Sequence, residues 1–329
     1  MSTANPRVSA RPPGVETSTD QFAADVRDYL SRTPRQLPSR YLYDGLGSAL
    51  FDAICQLPWY HLTRAETGLL TTHAASILSA LTPLARIVEL GAGNGEKLAT
   101  LLAARGLVPP PEALHLIDVS PLALETASRA LTAMDAVRIV THHAPYETGL
   151  ESVSRERAAG RSLFLFLGSN IGNFDPPGAD AILRRIRAAL EPGDAFLMGA
   201  DLVKPEAELL LAYDDPLAVT AAFNRNLLSR INRELGADFD LGGFAHRAVW
   251  NPALSRVEMH LVSTRRQTIR VPAAQVNLVM DEGDTIWTES SYKYRPEDVI
   301  AMLERNGFRR RRQFVDTTTQ FALTLVDAP

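Results

Sequence analysis

Three glycines crowd one strand-to-helix turn. Glu89-Leu-Gly91-Ala-Gly93-Asn-Gly95 follows a short apolar run, Arg86–Leu90, and precedes a helical stretch, Glu96–Gly106. Turns of this kind bind ligands in open α/β sheets. A dinucleotide fingerprint, G-x-G-x-x-G, would place its third glycine at position 96, where this chain carries Glu96. A glutamate opening that helix repels pyrophosphate, because it sits where the helix would otherwise attract an anion. An acid followed by G-x-G-x-G suits a phosphate-free ligand bearing an adenosine and a cationic group, and S-adenosylmethionine is that ligand. Asp118 ends the next apolar run, Leu116-Ile-Asp118. An acid about 20 residues beyond such a loop is placed to accept hydrogen bonds from a ribose diol.

A second cluster follows in Phe166-Leu-Gly168-Ser-Asn-Ile-Gly172-Asn173-Phe174. Its glycines permit close backbone approach, and Asn173 offers both a donor and an acceptor to a zwitterionic substrate. Between the clusters lies His142-His-Ala-Pro-Tyr-Glu147, with no acid directly after the third apolar run; Tyr146 is the residue there that can lie against an adenine. His142 and His143 lack a spaced carboxylate or cysteine partner, so no metal site is expected.

The elements that position these residues alternate. Strands are expected at Arg86–Leu90, Ala113–Val119, Val137–Thr141, Leu163–Leu167 and Asp194–Gly199. Helices are expected at Glu96–Gly106, Leu122–Met134 and Ala179–Leu190. Strands alternating with helices of this length form a parallel, doubly wound α/β sheet. Helices at Gln21–Leu30 and Ala49–Gln56 come before it. Thr63-Arg-Ala-Glu66 has capping-box spacing and would open a helix to Leu81, with Thr63 as its N-cap. His73 lies on that helix as a surface or packed residue. From Val203 to Ser291 the rhythm breaks: helices Pro205–Tyr213 and Leu217–Leu235 precede alternating stretches, Val257–Ser263 and Gln267–Val271, that read as antiparallel strands. This reads as an inserted α+β domain. A helix Pro296–Asn306 with Gly307 beyond its end, then a hairpin of Arg312–Asp316 and Gln320–Val326, close the chain. Arg309–Arg312 reads as the solvated start of that hairpin.

The 329 residues exceed one minimal domain, and 34 Lys+Arg against 38 Asp+Glu leave a charge of −4 that does not advertise nucleic-acid binding. A single cysteine, Cys55, excludes an internal disulfide and is expected to pack as a small hydrophobe. No apolar run reaches the roughly 20 residues of a membrane span, and Met1–Thr19 lacks the apolar core of a secretory signal. A cytoplasmic enzyme is expected, with neither a membrane nor a nucleic acid as partner, and acting as a monomer.

Several segments, in order, carry a resemblance. They are Tyr41–Phe51, Leu57-Pro-Trp-Tyr-His-Leu-Thr-Arg64, the Glu89–Lys97 loop, Phe166–Asn173, Asp201-Leu-Val-Lys204, Ala212-Tyr-Asp-Asp215, Thr220-Ala-Ala-Phe-Asn224 and Thr288-Glu-Ser-Ser-Tyr-Lys-Tyr-Arg-Pro296. Together they closely resemble the histidine Nα-methyltransferases of ergothioneine biosynthesis, from about Gln21 onward. The resemblance implies a Rossmann-like class I methyltransferase sheet. Residues 66–202 and 293–329 would bind S-adenosylmethionine; residues 21–65 and 203–292 would bind the amino acid, after a disordered tail over residues 1–20. It implies a donor site at Glu89, Gly91, Gly93, Gly95, Lys97, Asp118, Tyr146 and Gly168. In the acceptor site, Tyr60, Asn173 and Tyr213 would bind the carboxylate and amine of L-histidine, with Gly168 beside them. Glu289 and Ser291 would hold the imidazole, Tyr43 would sit near amine and ring, and Met259 would pack near the ligand. Tyr43 and Asn173 would serve catalysis. The implied reaction is three methyl transfers to the α-amine, giving hercynine. His61-Leu62 departs from one branch of the family, which has an aromatic and a proline there. Two other readings stay open: the same chemistry on another amino acid, such as a tryptophan derivative, and a non-catalytic S-adenosylmethionine sensor.

Overall fold

The computed structural model describes residues 19–132, 137–156 and 160–329. The expected tail lies outside these apart from Thr19 and Asp20, which open the first helix, and so does Met134, the expected end of a later one. Seven strands form the main sheet: β1 (Leu84–Leu90), β2 (Ala113–Asp118), β3 (Arg138–His143), β4 (Arg161–Phe166), β5 (Ala195–Asp201), β11 (Arg309–Asp316) and β12 (Phe321–Asp327), in the spatial order β11-β12-β5-β4-β1-β2-β3. Strands β1 to β5 run parallel, and β12 pairs antiparallel with both β5 and β11. The chain builds outward from β1 to β3 and then restarts at β4 on the other side of β1. The carboxyl ends of β1 and β4 therefore flank the topological switch point, where open sheets bind ligands.

Alternation along each strand explains why the sheet is buried on both faces. Leu163 and Leu165 join one apolar cluster while Phe164 and Phe166 join the other. The second cluster packs under α6 (Tyr146–Arg155), α7 (Pro176–Ala189) and α10 (Pro296–Arg305). The first runs through α3 (His61–Ser79), α4 (Glu96–Ala103) and α5 (Pro121–Thr132), and on into α9 (Val219–Leu235) and β7 (Arg256–Ser263). One continuous core thus joins the sheet to the segment between β5 and α10.

That segment leaves and rejoins the sheet at one place. Leu202 bridges Tyr294, with Val203 N–H donating to Tyr294 O at 2.9 Å and Tyr294 N–H to Asp201 O at 3.1 Å. It holds α8 (Glu206–Tyr213), α9 and a three-stranded sheet of β10 (Thr285–Tyr292), β7 and β6 (Phe244–Asn251), beside the hairpin β8 (Gln267–Val271) and β9 (Val276–Met280). The N-terminal helices α1 (Thr19–Leu30) and α2 (Gly45–Gln56) pack against it. Asp44, the N-cap of α2, accepts from Gly47 N–H at 2.8 Å, from Asn226 at 2.7 Å and from Arg233 at 2.6 Å. One capping acid therefore starts the helix and ties it to α9.

Several expectations are corrected. Thr63 is not a cap: α3 begins at His61 with Tyr60 as N-cap, and Glu66 turns away from the helix terminus. Strand β3 lies further along than Val137–Thr141 and contains both His142 and His143. Helix α6 and strands β6, β9 and β10 are not among the expected elements. The remaining elements lie within a few residues of expectation. His73 stacks on Phe314 with centroids 4.2 Å apart, as a packed residue. Cys55 is free and packs at the edge of the core.

Candidate active site

A cleft lies between the carboxyl end of β4 and the segment from β5 to α10. Each wall comes from a different element. Tyr43 stands just before α2, and Phe51 and Ile54 project from α2. Tyr60 caps α3. Gly168, Asn170 and Asn173 come from the loop and 3-10 turn after β4. Tyr213 ends α8, Phe223 lies on α9, Met259 on β7, and Glu289 and Ser291 on β10. All the residues assigned to the acceptor site by resemblance thus line one cavity, although they are spread from residue 43 to residue 291.

Strand geometry explains the β10 pair. Side chains two apart on a strand share a face, so Glu289 and Ser291 point the same way. Register in this strand shifts between Trp287 and Glu289, after which Glu289 pairs with Met259 on β7. The irregularity aims the acid into the cleft. Glu289 Oε1 is buried without a hydrogen-bond partner, and burial pushes its carboxyl up to about 8 against the pull of Lys293. An orphaned acceptor of this kind is satisfied by a ligand N–H. Ser291 Oγ stands 2.8 Å from Tyr213 Oη. Around them the rings of Tyr43, Phe51, Tyr60, Tyr213 and Phe223 form a chain, with neighbouring centroids 5.5 to 6.3 Å apart. Burial raises the Tyr43 and Tyr60 hydroxyls well above the ordinary phenol range, with Glu289 adding to the effect on Tyr43. Both are therefore neutral phenols.

The glycine loop lies next to this cleft, with Asn170 between them. Gly91, Gly93 and Gly95 all have positive φ, and at Gly95 (79°) a Cβ would stand 2.8 Å from Ala127 Cα on α5. Asp118 secures the loop rather than hanging free: Oδ2 accepts from Gly93 N–H at 3.0 Å and Oδ1 from Ser120 N–H at 2.8 Å. Each oxygen keeps a further acceptor site for a diol. Tyr146 borders the loop, since a methyl on Gly91 would lie 3.0 Å from its hydroxyl and 2.7 Å from Asn170 Nδ2. Glu89 is buried at the strand end with Oε2 unpartnered, and burial lifts its carboxyl to about 8. This fits a donor with a cationic group, because a positive charge supplies the partner the acid lacks.

Cleft and loop meet at Glu66, which the sequence reading took for a capping residue. It is fully buried, accepts the Gly168 N–H on both oxygens at 2.9 and 2.8 Å, and lies 2.7 Å from Lys97 Nζ. Burial works against the Lys97 ammonium, but Glu66 outweighs it and the pKa rises. Phe51, Phe223 and Asn170 were also missed. Lys293 could have been found, because Glu289, Ser291 and Lys293 continue one period-two alternation. His142 binds no carboxylate; it faces His115 at 3.1 Å, and burial, then His142, takes His115 down to about 3. Among the described residues no group of three or more His, Cys, Asp or Glu is arranged for a metal.

Glu89 and Glu289 predict a pH effect on stability. In the folded chain each holds a proton up to about 8, whereas the unfolded side chain loses it near 4.5. The unfolded state therefore binds fewer protons in between. Their contribution is complete below 4.5 and is lost as pH rises towards about 8. Thermal unfolding of the ligand-free chain is expected to show a stability decline over that window, flattened in the Glu89→Gln/Glu289→Gln variant. An unchanged slope in the variant would refute it.

Comparison with known proteins agrees with the geometry. A family model described as histidine-specific methyltransferase, SAM-dependent, matches residues 22–328. The histidine N-alpha-methyltransferase of Mycobacterium tuberculosis is 42% identical over 308 residues, covering 92% of this chain and 93% of the relative. That of Mycolicibacterium smegmatis is 39% identical over 311 residues, covering 94% and 96%. The ergothioneine biosynthesis protein 1 of Neurospora crassa is 29% identical over 273 residues, 78% of this chain but 31% of that larger protein. With nearly its whole length matched, this chain belongs to the histidine-specific, SAM-dependent methyltransferase family.

Proposed function

We propose that the chain transfers methyl groups from S-adenosylmethionine to the α-amine of L-histidine, three times, giving hercynine for ergothioneine biosynthesis. The observation that carries this reading is the buried, unpartnered Glu289 Oε1, set beside Ser291 in a cleft whose Asn170 borders Gly91 of the glycine loop. An imidazole has a nitrogen for each of them. An indole offers one N–H and leaves Ser291 unmatched.

In this reading residues 66–202 and 293–329 hold the donor, and residues 21–65 and 203–292 the amino acid. Glu89, Gly91, Gly93, Gly95, Lys97, Asp118 and Tyr146 surround the donor, with Gly168 between donor and acceptor. When bound, the donor supplies an electrophilic methyl on a sulfonium. The chain's own residues then have to position a neutral amine lone pair against it. Asn173, Tyr60 and Tyr213 hold the carboxylate and amine, and Glu289 with Ser291 holds the ring, so the α-nitrogen faces Gly168. Tyr43, a neutral phenol, relays the proton: its oxygen takes the amine proton while its own O–H proton leaves to a water that carries it to solvent, so the phenol stays neutral. The aromatic walls leave room for an amine that grows with each methyl and ends as a cation. Since one chain builds the whole cleft, a monomer suffices. No described helix is long and apolar enough to cross a membrane. With small soluble reactants and a free Cys55, we place the reaction in the cytoplasm.

The test is a panel of amino acids with S-adenosylmethionine, comparing kcat/KM. Histidine is expected to exceed tryptophan and phenylalanine by at least about 100-fold, because unmade buried hydrogen bonds reject both. Equal or better turnover of tryptophan would overturn the assignment. Tyr43→Phe is expected to lower kcat by about 10-fold or more and to alter the alkaline pH profile. Unchanged rate and profile would remove Tyr43 from the mechanism.

A further inference from the structure

We infer that Lys293, anchored by Asp201, is a positioning residue that locks Tyr213 and Ser291 into one hydrogen-bonded pair and so sets how the cleft reads the amino acid. The inference rests on the function proposed above. Lys293 itself does not line the cleft; its side chain has no exposed surface, and it sits behind the two hydroxyls that do.

The argument is a count of protons. An ammonium has three N–H donors and no lone pair. Lys293 Nζ has three oxygen neighbours: Asp201 Oδ2 at 2.8 Å, Tyr213 Oη at 2.7 Å and Ser291 Oγ at 2.9 Å. Both hydroxyl oxygens therefore accept from the same cation. They also stand 2.8 Å from each other, so one donates to the other. Of the two hydroxyl protons, one is used inside the pair and one remains for the ligand. With a neutral, donor-free side chain at position 293, both oxygens would lose the shared donor that holds them, and either hydroxyl could swing out of the pair. The cation is fixed from behind as well. Asp201 is fully buried, and its Oδ1 accepts from Lys204 Nζ at 2.7 Å, while Lys204 also donates to Thr319 O at 2.9 Å. The Lys293 ammonium further lies over the Tyr213 ring, 4.6 Å from its centroid. Charged donors hold their acceptors more firmly than neutral ones, so the buried cation keeps both oxygens in place before substrate arrives.

This arrangement places the effect on amino-acid binding rather than donor binding. The experiment is steady-state kinetics of the full chain with histidine and S-adenosylmethionine for wild type, Lys293→Met, Tyr213→Phe/Ser291→Ala and the triple variant. Lys293→Met is expected to raise the histidine KM by about 10- to 100-fold while the donor KM stays within about threefold. In the background lacking both hydroxyls, the same substitution should change the histidine KM less than about threefold, since the groups it acts through are gone. A role confined to folding would cost the same factor in both backgrounds. Asp201 keeps Lys204 on Oδ1 in these variants but loses its partner on Oδ2, so a stability loss of similar size is expected in both backgrounds and is measured alongside by thermal unfolding. If Lys293→Met does not fold, Lys293→Gln carries the same comparison. Equal factors in the two backgrounds, or no rise in KM, would overturn the inference while histidine turnover by wild type kept the functional reading intact. A wild-type chain without histidine turnover would overturn that reading first, and this inference with it.

Discussion

Glu66→Ala is expected to destabilise the chain by about 3–5 kcal/mol and to weaken the methyl donor's binding, because it breaks a buried ion pair and leaves its partner behind. The carboxylate has no exposed surface, and both its oxygens take the Gly168 N–H while Oε2 pairs with Lys97 at 2.7 Å. Its loss strands a backbone donor in the loop after β4 and an ammonium in the donor site. The space for this acid is provided by Gly199 on β5, where a Cβ would lie 1.9 Å from Glu66 Oε1. Gly199→Ala should therefore reproduce much of the defect from the opposite side. Thermal or denaturant unfolding, with calorimetry of donor binding, checks both variants. Wild-type stability and donor affinity in Glu66→Ala would show that α3 does not latch the two loops.

Glu289→Ala is expected to do the reverse: to spare the fold and abolish most activity. In the ligand-free chain Glu289 Oε1 is a buried acceptor without a partner, so its removal relieves a cost instead of creating one. In the proposed complex, that oxygen takes an imidazole N–H. Losing this hydrogen bond in a dry cleft, where the ligand N–H would be left unpaired, should lower kcat/KM for histidine by about 100-fold, chiefly through KM. The unfolding temperature at neutral pH should be unchanged or higher. A variant that loses stability while keeping its histidine KM would mark Glu289 as structural.

The fold was largely legible because a doubly wound sheet writes its strands as apolar runs. Leu163–Leu167 is apolar since both faces of β4 are covered, and the two glycine-bearing turns follow from needing sharp exits at the switch point. The donor side could therefore be read from residues alone. The acceptor side could not, because its chemistry hides its secondary structure. Strand β10 is Thr-Ile-Trp-Thr-Glu-Ser-Ser-Tyr, polar where it faces the cleft, so its pattern reads as a loop. Helix α6 does carry a short helical stripe, Tyr146, Gly149, Leu150 and Val153 at i, i+3, i+4 and i+7, so it is open to being read from the sequence. On β10 it is resemblance, not periodicity, that points to Glu289 and Ser291. Glu66 failed for a different reason. Its spacing from Thr63 fits a local capping motif, but a tertiary partner 102 positions away claims the side chain. Local rules give way at functional sites, and this glutamate is such a case.

The central claim is that the cleft presents the α-nitrogen of histidine, and not its ring, to the donor. Mass spectrometry with fragmentation of the product formed from histidine and isotopically labelled S-adenosylmethionine tests it most directly. The expected product carries three labelled methyls, all on the α-nitrogen. Methyls on the imidazole, or no labelled product at all, would contradict it.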